Sequence, residues 1–252
     1  MKVVVCVKQI PDPATPYKLE EGNNWLIRPE EQILDDTDRY GVEMGLQLAQ
    51  ADEGTVTVVS MGPSGSGQGI RQALAMGADK AILVEDDSLR GSDALTTARV
   101  LAAAIQKEGF DLVIAGTEST DGYSGVVPQM IAEILDVPAL TYATQVETGD
   151  GSVTIHRQTA AGYDIVTSAL PAVVTVTAGV VEPRYPTFKG IMDAKKKPIE
   201  AVSMGGLGAE RGPEQLVLSI VDAPQRGGGR KIEDEGEAHL AIVSLLEERK
   251  VI

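Results

Sequence analysis

Val3-Val4-Val5-Cys6-Val7 is an unbroken apolar run, and Asp111-Leu112-Val113-Ile114-Ala115 repeats its character later in the chain. An apolar run of strand length without alternation reads as a strand buried on both faces, the habit of a parallel sheet covered by helices. Thr55–Ser60 and Lys80–Val84 supply two more such strands, the first closed by Met61-Gly62-Pro63. Helical periodicity separates them. Asp35-Asp36-Thr37-Asp38 leads into Tyr40, Val42, Met44, Leu46 and Leu48, and the pattern ends near Ala51 and Gly54. Asp or Thr is a good N-cap there, and acids suit the positive end of a helix. Gly69–Gly77, Asp93–Lys107 and a stretch from about Ser124 to Leu135 read as three further helices. Four strand–helix alternations predict an α/β fold, a doubly wound and mostly parallel sheet with helices on both faces.

After residue 140 the rhythm changes. Thr141–Val146, Ser152–Gln158 and Tyr163–Ser168 are separated by Gly149-Asp150-Gly151 and Ala161-Gly162 and read as an antiparallel hairpin region. Pro171–Val176 returns to buried-strand character. From residue 201 the composition shifts to Gly205-Gly206, Gly208 and Gly227-Gly228-Gly229, followed by a charged helix over Asp234–Lys250 that carries Leu240, Ile242, Val243, Leu245 and Leu246. The expected organisation is an α/β domain over 1–200 and an extended C-terminal arm over 201–252 that packs on another surface.

Composition excludes several function classes. The 252 residues hold 22 Lys+Arg against 37 Asp+Glu, a net charge of −15. Nucleic acid needs a basic footprint and an anionic membrane surface needs basic clusters, so neither is an expected partner. The single Cys rules out a disulfide framework and a four-thiolate metal site. The two His, His156 and His239, lie far apart and give a metal site or triad little to work with. No apolar run reaches the length of a spanning helix, and the N-terminus lacks a signal-peptide layout. The expected setting is the cytosol, or an organelle lumen after removal of an import signal.

Ligands of a parallel α/β sheet bind where strands end and helices begin, and helix N-termini there suit phosphate. Three strand ends stand out. The first is Cys6 and its exit. The second is Met61-Gly62-Pro63 with Gly65, Gly67 and Gly69. The third runs from Gly116 to Pro128, with Gly116, Gly122 and Gly125 and the hydroxyls of Thr117, Ser119, Thr120 and Ser124. Small residues let a backbone approach a phosphate closely. Neither G-x-G-x-x-G after the first strand nor a P-loop motif is present, so ordinary βα turns remain the alternative. Catalytic candidates are weak. Cys6 lies in a buried strand and reads as a small hydrophobe. His156 reads as a surface residue of a hairpin. Asp35, Asp36 and Asp38 read as a solvated helix start in preference to metal ligands. No nucleophile has a base nearby. The pattern fits a nucleotide-binding protein without catalytic groups of its own.

Glu182-Pro-Arg184-Tyr185-Pro-Thr-Phe188-Lys-Gly-Ile191-Met192-Asp-Ala-Lys195-Lys-Lys197 stands apart. It sets an exposed aromatic, Phe188, between Pro and Gly in a loop, with basic residues around it in an acidic chain. A solvated loop is one reading. The other is a docking loop with Phe188 as apolar anchor and the basic run steering an acidic partner.

This segment resembles the signature of the electron transfer flavoprotein β subunits. Val5–Gln9 is similar to the family's first strand and exit, Ala73-Leu-Ala-Met-Gly-Ala-Asp-Lys80 to its A-L-A-M-G-A-D-[KR] motif, and Leu112–Gly116 with Asp121 and Gln129 to its nucleotide-holding strand and loop. Asp222-Ala-Pro-Gln-Arg226 resembles a tail motif. The resemblance implies an electron carrier, not an enzyme. Its α subunit partner holds the redox FAD, and the β subunit binds a structural AMP. Flavin dehydrogenases such as acyl-CoA dehydrogenases donate electrons, and a quinone oxidoreductase or similar acceptor takes them. The setting implied is cytoplasmic, or the mitochondrial matrix in a eukaryote, with no membrane insertion. By position, the AMP contacts fall at Cys6, at Asp35, Asp36, Thr37 and Asp38, and at Met61. They continue along Gly116, Thr117, Glu118, Ser119, Thr120 and Asp121, and then Gly122, Tyr123, Ser124, Gly125, Val126 and Val127. Backbone N–H groups of that turn hold the phosphate and the strand ends flank adenine. The recognition loop maps onto Pro183–Ala194, with Arg184, Tyr185, Phe188, Ile191, Met192 and Lys195 as docking residues.

The sequence departs from the family pattern in places. Phe188 replaces a common Leu anchor. Asp35-Asp36 stands where many members have Asn-Pro. Gly125, Val126 and Val127 replace side chains that often touch phosphate, which leaves backbone groups for that task. Relatives that carry a second FAD instead of AMP and bifurcate electrons from NADH tend to have G-G-A-D-T and A-T-S after the third strand. Arg90-Gly-Ser-Asp-Ala-Leu-Thr-Thr-Ala98 matches these only in part. A bifurcating flavoprotein and a stand-alone nucleotide sensor are therefore the competing classes.

Overall fold

The computed structural model describes residues 1–63, 67–209, 212–221, 223–224, 227–229, 231–234 and 236–252. Gly65, and Asp222, Gln225 and Arg226 of the tail motif, lie outside the described residues. Chain contacts divide the protein into Met1–Leu218 and Ser219–Ile252.

The first unit is built on a sheet of nine strands in the order β11-β5-β4-β1-β6-β10-β7-β8-β9. In chain order the strands are β1 (Lys2–Cys6), β4 (Thr55–Gly62), β5 (Lys80–Glu85), β6 (Leu112–Gly116), β7 (Ala139–Gly149), β8 (Ser152–Thr159), β9 (Gly162–Ala169), β10 (Ala172–Val176) and β11 (Ile199–Val202). A separate antiparallel pair, β2 (Gln9–Ile10) and β3 (Ile33–Leu34), closes the long loop after β1. From β11 to β7 the pairing is parallel, and β7-β8-β9 is antiparallel. The α/β class and the antiparallel region are as the sequence predicts.

Side-chain alternation explains the unbroken apolar run. Val3 and Val5 join one core with Val42, Leu46 and Leu74, whereas Val4 and Cys6 join the other with Val100, Ile105 and Ile131. Helices α1 (Asp36–Ala51) and α2 (Gln68–Met76) therefore cover one face, and α3 (Ala94–Glu108) and α4 (Val127–Ile134) the other. The chain winds outward from β1 to β4 and β5, then crosses to β6 on the other side of β1. The switch point of the sheet lies between β1 and β6, where such folds open a ligand crevice at the carboxyl ends of the strands.

Two elements differ from the sequence reading. Phe188 opens a short helix, α5 (Phe188–Ala194), where the sequence suggests a loop. Thr187 caps it by accepting from Gly190 N at 3.0 Å, and Ala194 anchors it in the core. Ile199–Val202 pairs with β5 as a parallel edge strand, an addition that a short half-exposed segment does not announce. The second unit carries α6 (Ala238–Glu248), shorter at both ends than the sequence suggests, with Leu240, Ile242, Val243 and Leu245 exposed. No helix of the described residues is long and apolar enough to cross a membrane.

Candidate functional site

Cys6, Met61 and Gly116 sit at the carboxyl ends of three adjacent strands. Cys6 is buried, and burial with the nearby Asp38 carboxylate pushes its thiol up to about 12, so it is a packing residue and no nucleophile. The start of α1 lies where predicted, but it is not the solvated start expected of Asp35, Asp36 and Asp38: Asp35 and Asp38 are buried because the turn after β6 and the exit of β1 supply their hydrogen bonds. Asp35 is the N-cap and accepts from Thr37 N at 3.0 Å. Its other oxygen accepts from Thr120 N at 2.7 Å and from Thr120 Oγ at 3.1 Å. Thr37 Oγ lies 2.8 Å from Asp35 Oδ1 and 3.1 Å from the Glu118 carbonyl. The turn after β6 is thereby fastened to the start of α1. Asp36 instead faces solvent and pairs with Arg39.

Asp38 is buried below this joint and accepts from Lys8 N at 2.5 Å. Burial and the Asp35 carboxylate push its carboxyl well above the usual range. Asp38 and Thr37 close over Gly116, where a Cβ would lie 3.1 Å from Asp38 Oδ1.

Asp121 is the centre of charge in the turn. Its side chain is 1% exposed and holds two cations, Lys8 Nζ on Oδ1 at 2.7 Å and Arg28 on Oδ2 at 2.6 Å. Burial pushes its carboxyl up, but Lys8 and Arg28 outweigh burial and hold it below the usual range. Lys8 also reaches Ser119 Oγ at 3.2 Å. Sequence reasoning assigned neither cation to the site. Separations of 113 and 93 residues leave no spacing signal, although a Lys just beyond a buried strand stands at a crevice by position.

Beyond Asp121 the turn opens to solvent. Tyr123 is exposed, and with Pro13, Tyr17 and Thr120 it lines a cleft of about 500 Å3. Gly125 has a φ of +62° and precedes α4. Helices α1, α3 and α5 are capped by Asp35, Asp93 and Thr187, whereas α2 and α4 have no side-chain cap. In the first turn of α4, Gln129 Oε1 is buried without a hydrogen-bond partner. Free N–H groups at the end of a glycine-rich turn suit a phosphate, and an orphaned carbonyl oxygen beside them needs a donor such as a ligand hydroxyl or amino group. A second cleft of similar volume, bounded by Met1, Phe110 and Pro171, lies at the opposite ends of the strands and carries none of these features.

The segment read from the sequence as a docking loop is set against α1 and α2. Phe188 is 83% exposed and Tyr185 79%, and Ile191, Met192 and Lys195 also face solvent. Arg184 turns inward to a buried Glu43 of α1. Lys197 Nζ caps the end of α2, donating to the carbonyls of Leu74, Gly77 and Ala78. His156, read as a surface residue, stacks on Tyr163 with ring centroids 4.4 Å apart.

The family model described as Electron transfer flavoprotein domain matches residues 24–205. This chain belongs to the electron transfer flavoprotein family. It is 40% identical to the Electron transfer flavoprotein subunit beta of Mycobacterium tuberculosis, with 99% of each chain covered. The protein of the same name from Megasphaera elsdenii is 34% identical over 100% of this chain and 98% of its own. The Caffeyl-CoA reductase-Etf complex subunit CarD of Acetobacterium woodii is 34% identical over the whole of both. The resemblance drawn from Glu182–Lys197 and the strand motifs is thus borne out along the whole chain, and with it a role in electron transport.

Proposed function

We propose that the chain is the β subunit of a heterodimeric electron transfer flavoprotein and an electron carrier without bond chemistry of its own. It holds a structural AMP in the crevice between β1 and β6. The uncapped start of α4 is the observation that carries the AMP reading, and the unpartnered Gln129 Oε1 beside it is an acceptor that a ribose hydroxyl or the adenine amino group satisfies. Of the turn's backbone N–H groups, those of residues 124–127 face the phosphate, since Thr120, Gly122 and Tyr123 spend theirs within the protein, and Cys6, Met61 and Gly116 form the apolar floor under the base. The exposed apolar arm around α6 packs on the α subunit. When bound there, FAD supplies the redox chemistry. This chain completes the flavin's surroundings and presents Tyr185, Phe188, Ile191 and Met192 to flavin dehydrogenases such as acyl-CoA dehydrogenases, with a quinone oxidoreductase or similar acceptor downstream.

A second FAD in place of AMP is the alternative, supported by the partial match over Arg90–Ala98. The contacts of that segment favour AMP. Asp93 Oδ1 accepts from Thr96 N at 2.7 Å, and its Oδ2 accepts from Glu214 N and Gln215 N at 2.7 and 3.0 Å. Trp25 packs against Gly91. The chain's own residues thus fill the ground beside the start of α3.

Co-expression with the flavin-bearing subunit and gel filtration tests the assignment. A one-to-one complex with flavin absorbance is expected. A chain that elutes alone with bound nucleotide contradicts it and returns the sensor reading.

A further inference from the structure

Lys8 and Arg28 are the cations at the mouth of the proposed nucleotide crevice, and both point their charge into the protein. Each takes one oxygen of Asp121, which is itself almost fully enclosed. Lys8 is tied further by its backbone N–H to Asp38, and Arg28 by Nη1 to the Gln9 carbonyl at 3.3 Å. The three side chains join three separate pieces of chain: the exit of β1, the long loop between β2 and β3, and the turn after β6. One residue away, Thr120 is fixed to Asp35 through both its N–H and its hydroxyl. Between residues 118 and 121 the turn is therefore held at three points, Thr37 on the Glu118 carbonyl being the third. Gly122 and Tyr123 fold back on it, both donating to the Ser119 carbonyl, and the N–H groups of residues 124–127, which have no partner among the described residues, come next.

We propose that Asp121 is a positioning residue of the nucleotide site. It binds Lys8 and Arg28 in order to fix the turn whose backbone faces the phosphate, and it withholds both cations from that phosphate. This rests on the AMP reading above. It makes an unusual demand on charge. A carboxylate beside a bound anion repels it, and removal of that carboxylate frees two cations. If Lys8 and Arg28 acted on the phosphate directly, neutralising Asp121 would tighten AMP. If Asp121 works by fixing the turn, the same change loosens AMP, because the enclosed carboxylate loses the charge that holds the two half-exposed cations.

The test is calorimetric titration of the full chain, in its complex with the flavin-bearing subunit and stripped of nucleotide, with AMP and with adenosine. The variants are Asp121→Asn, Lys8→Met and Lys8→Arg. For D121N we expect AMP affinity to fall by about tenfold or more while adenosine binding changes much less. Lys8→Met should follow it, and Lys8→Arg, which can still hold Asp121, should restore most of the loss. Thermal melting of each variant separates a displaced turn from a failed fold: a D121N protein that melts like wild type but binds AMP weakly supports the proposal. D121N that binds AMP as well as wild type, or better, overturns it and leaves the AMP reading standing. Wild type that binds adenosine and AMP equally, or neither, overturns both. Equal loss of AMP and adenosine in D121N also overturns it, since the effect is then not on the phosphate end.

Discussion

Arg184 grips Glu43 at two points, Nε donating to Oε2 at 2.6 Å and Nη2 to Oε1 at 2.9 Å, and its backbone N–H adds a third contact at 3.2 Å. The carboxylate is 4% exposed. This pair, not the loop's own sequence, holds the root of the proposed docking segment to α1, and α1 is capped at the crevice by Asp35. Burial pushes the Glu43 carboxyl up, and hydrogen bonds from Arg184 and Gln47 more than offset this, leaving it below the usual range. A carboxyl depressed in the folded state stabilises fully above the unfolded value of about 4 and loses that contribution as pH falls through the folded value. Arg184→Ala strands a buried charge. A loss of about 2 kcal/mol near neutral pH is expected, below the range for fully buried pairs because the guanidinium is partly wet. Chemical denaturation across pH 3 to 7 checks both: the variant's deficit should shrink toward acid, and an unchanged deficit at all pH values would contradict the assignment.

Phe188 makes the opposite case. Its ring is exposed and carries little folding energy, so Phe188→Ala should shift stability by less than about 0.5 kcal/mol. Reduction of the complex by its dehydrogenase should slow while the FAD content holds. Loss of FAD instead would make this residue structural and remove it from docking.

Gly190 lies against α2 so closely that a Cβ would stand 2.6 Å from the Ala75 carbonyl oxygen. Gly190→Ala must push α5 off α2, at a cost of about 1–3 kcal/mol. A melting temperature equal to wild type would show that the two helices are not packed as described.

Trp25 is the only tryptophan of the chain, which makes its packing readable by emission. Gly91 has a φ of +75°, and its position leaves no room for a Cβ beside the indole ring. Gly91→Ala should displace the ring, shift its emission to the red and loosen the loop between β2 and β3. An unshifted spectrum would place the indole elsewhere.

The parts of the fold that were legible in the sequence are those in which one residue's chemistry speaks locally. The runs at Val3 and Leu112 announce strands buried on both faces, and Asp35 and Asp93 announce helix starts that both prove to be side-chain caps. The parts that were silent depend on distant partners. Phe188 to Ala194 reads as a loop because Pro186 and Gly190 interrupt it, and its helicity comes from Thr187 and from packing on α2. Ile199–Val202 becomes a strand only because β5 offers an open edge. At the site, glycines and hydroxyls marked the turn after β6, but the cations that fix it come from Lys8 and Arg28, far off in sequence. Glu43 left one faint sign, an acid on the stripe that also carries Val42 and Leu46.

A carrier subunit of this kind holds AMP in the crevice between β1 and β6. The most direct test is the nucleotide content of the complex with the flavin-bearing subunit, released by denaturation and resolved by chromatography. Equal amounts of FAD and AMP per complex are expected. Two FAD and no AMP would contradict it and make the crevice a second flavin site.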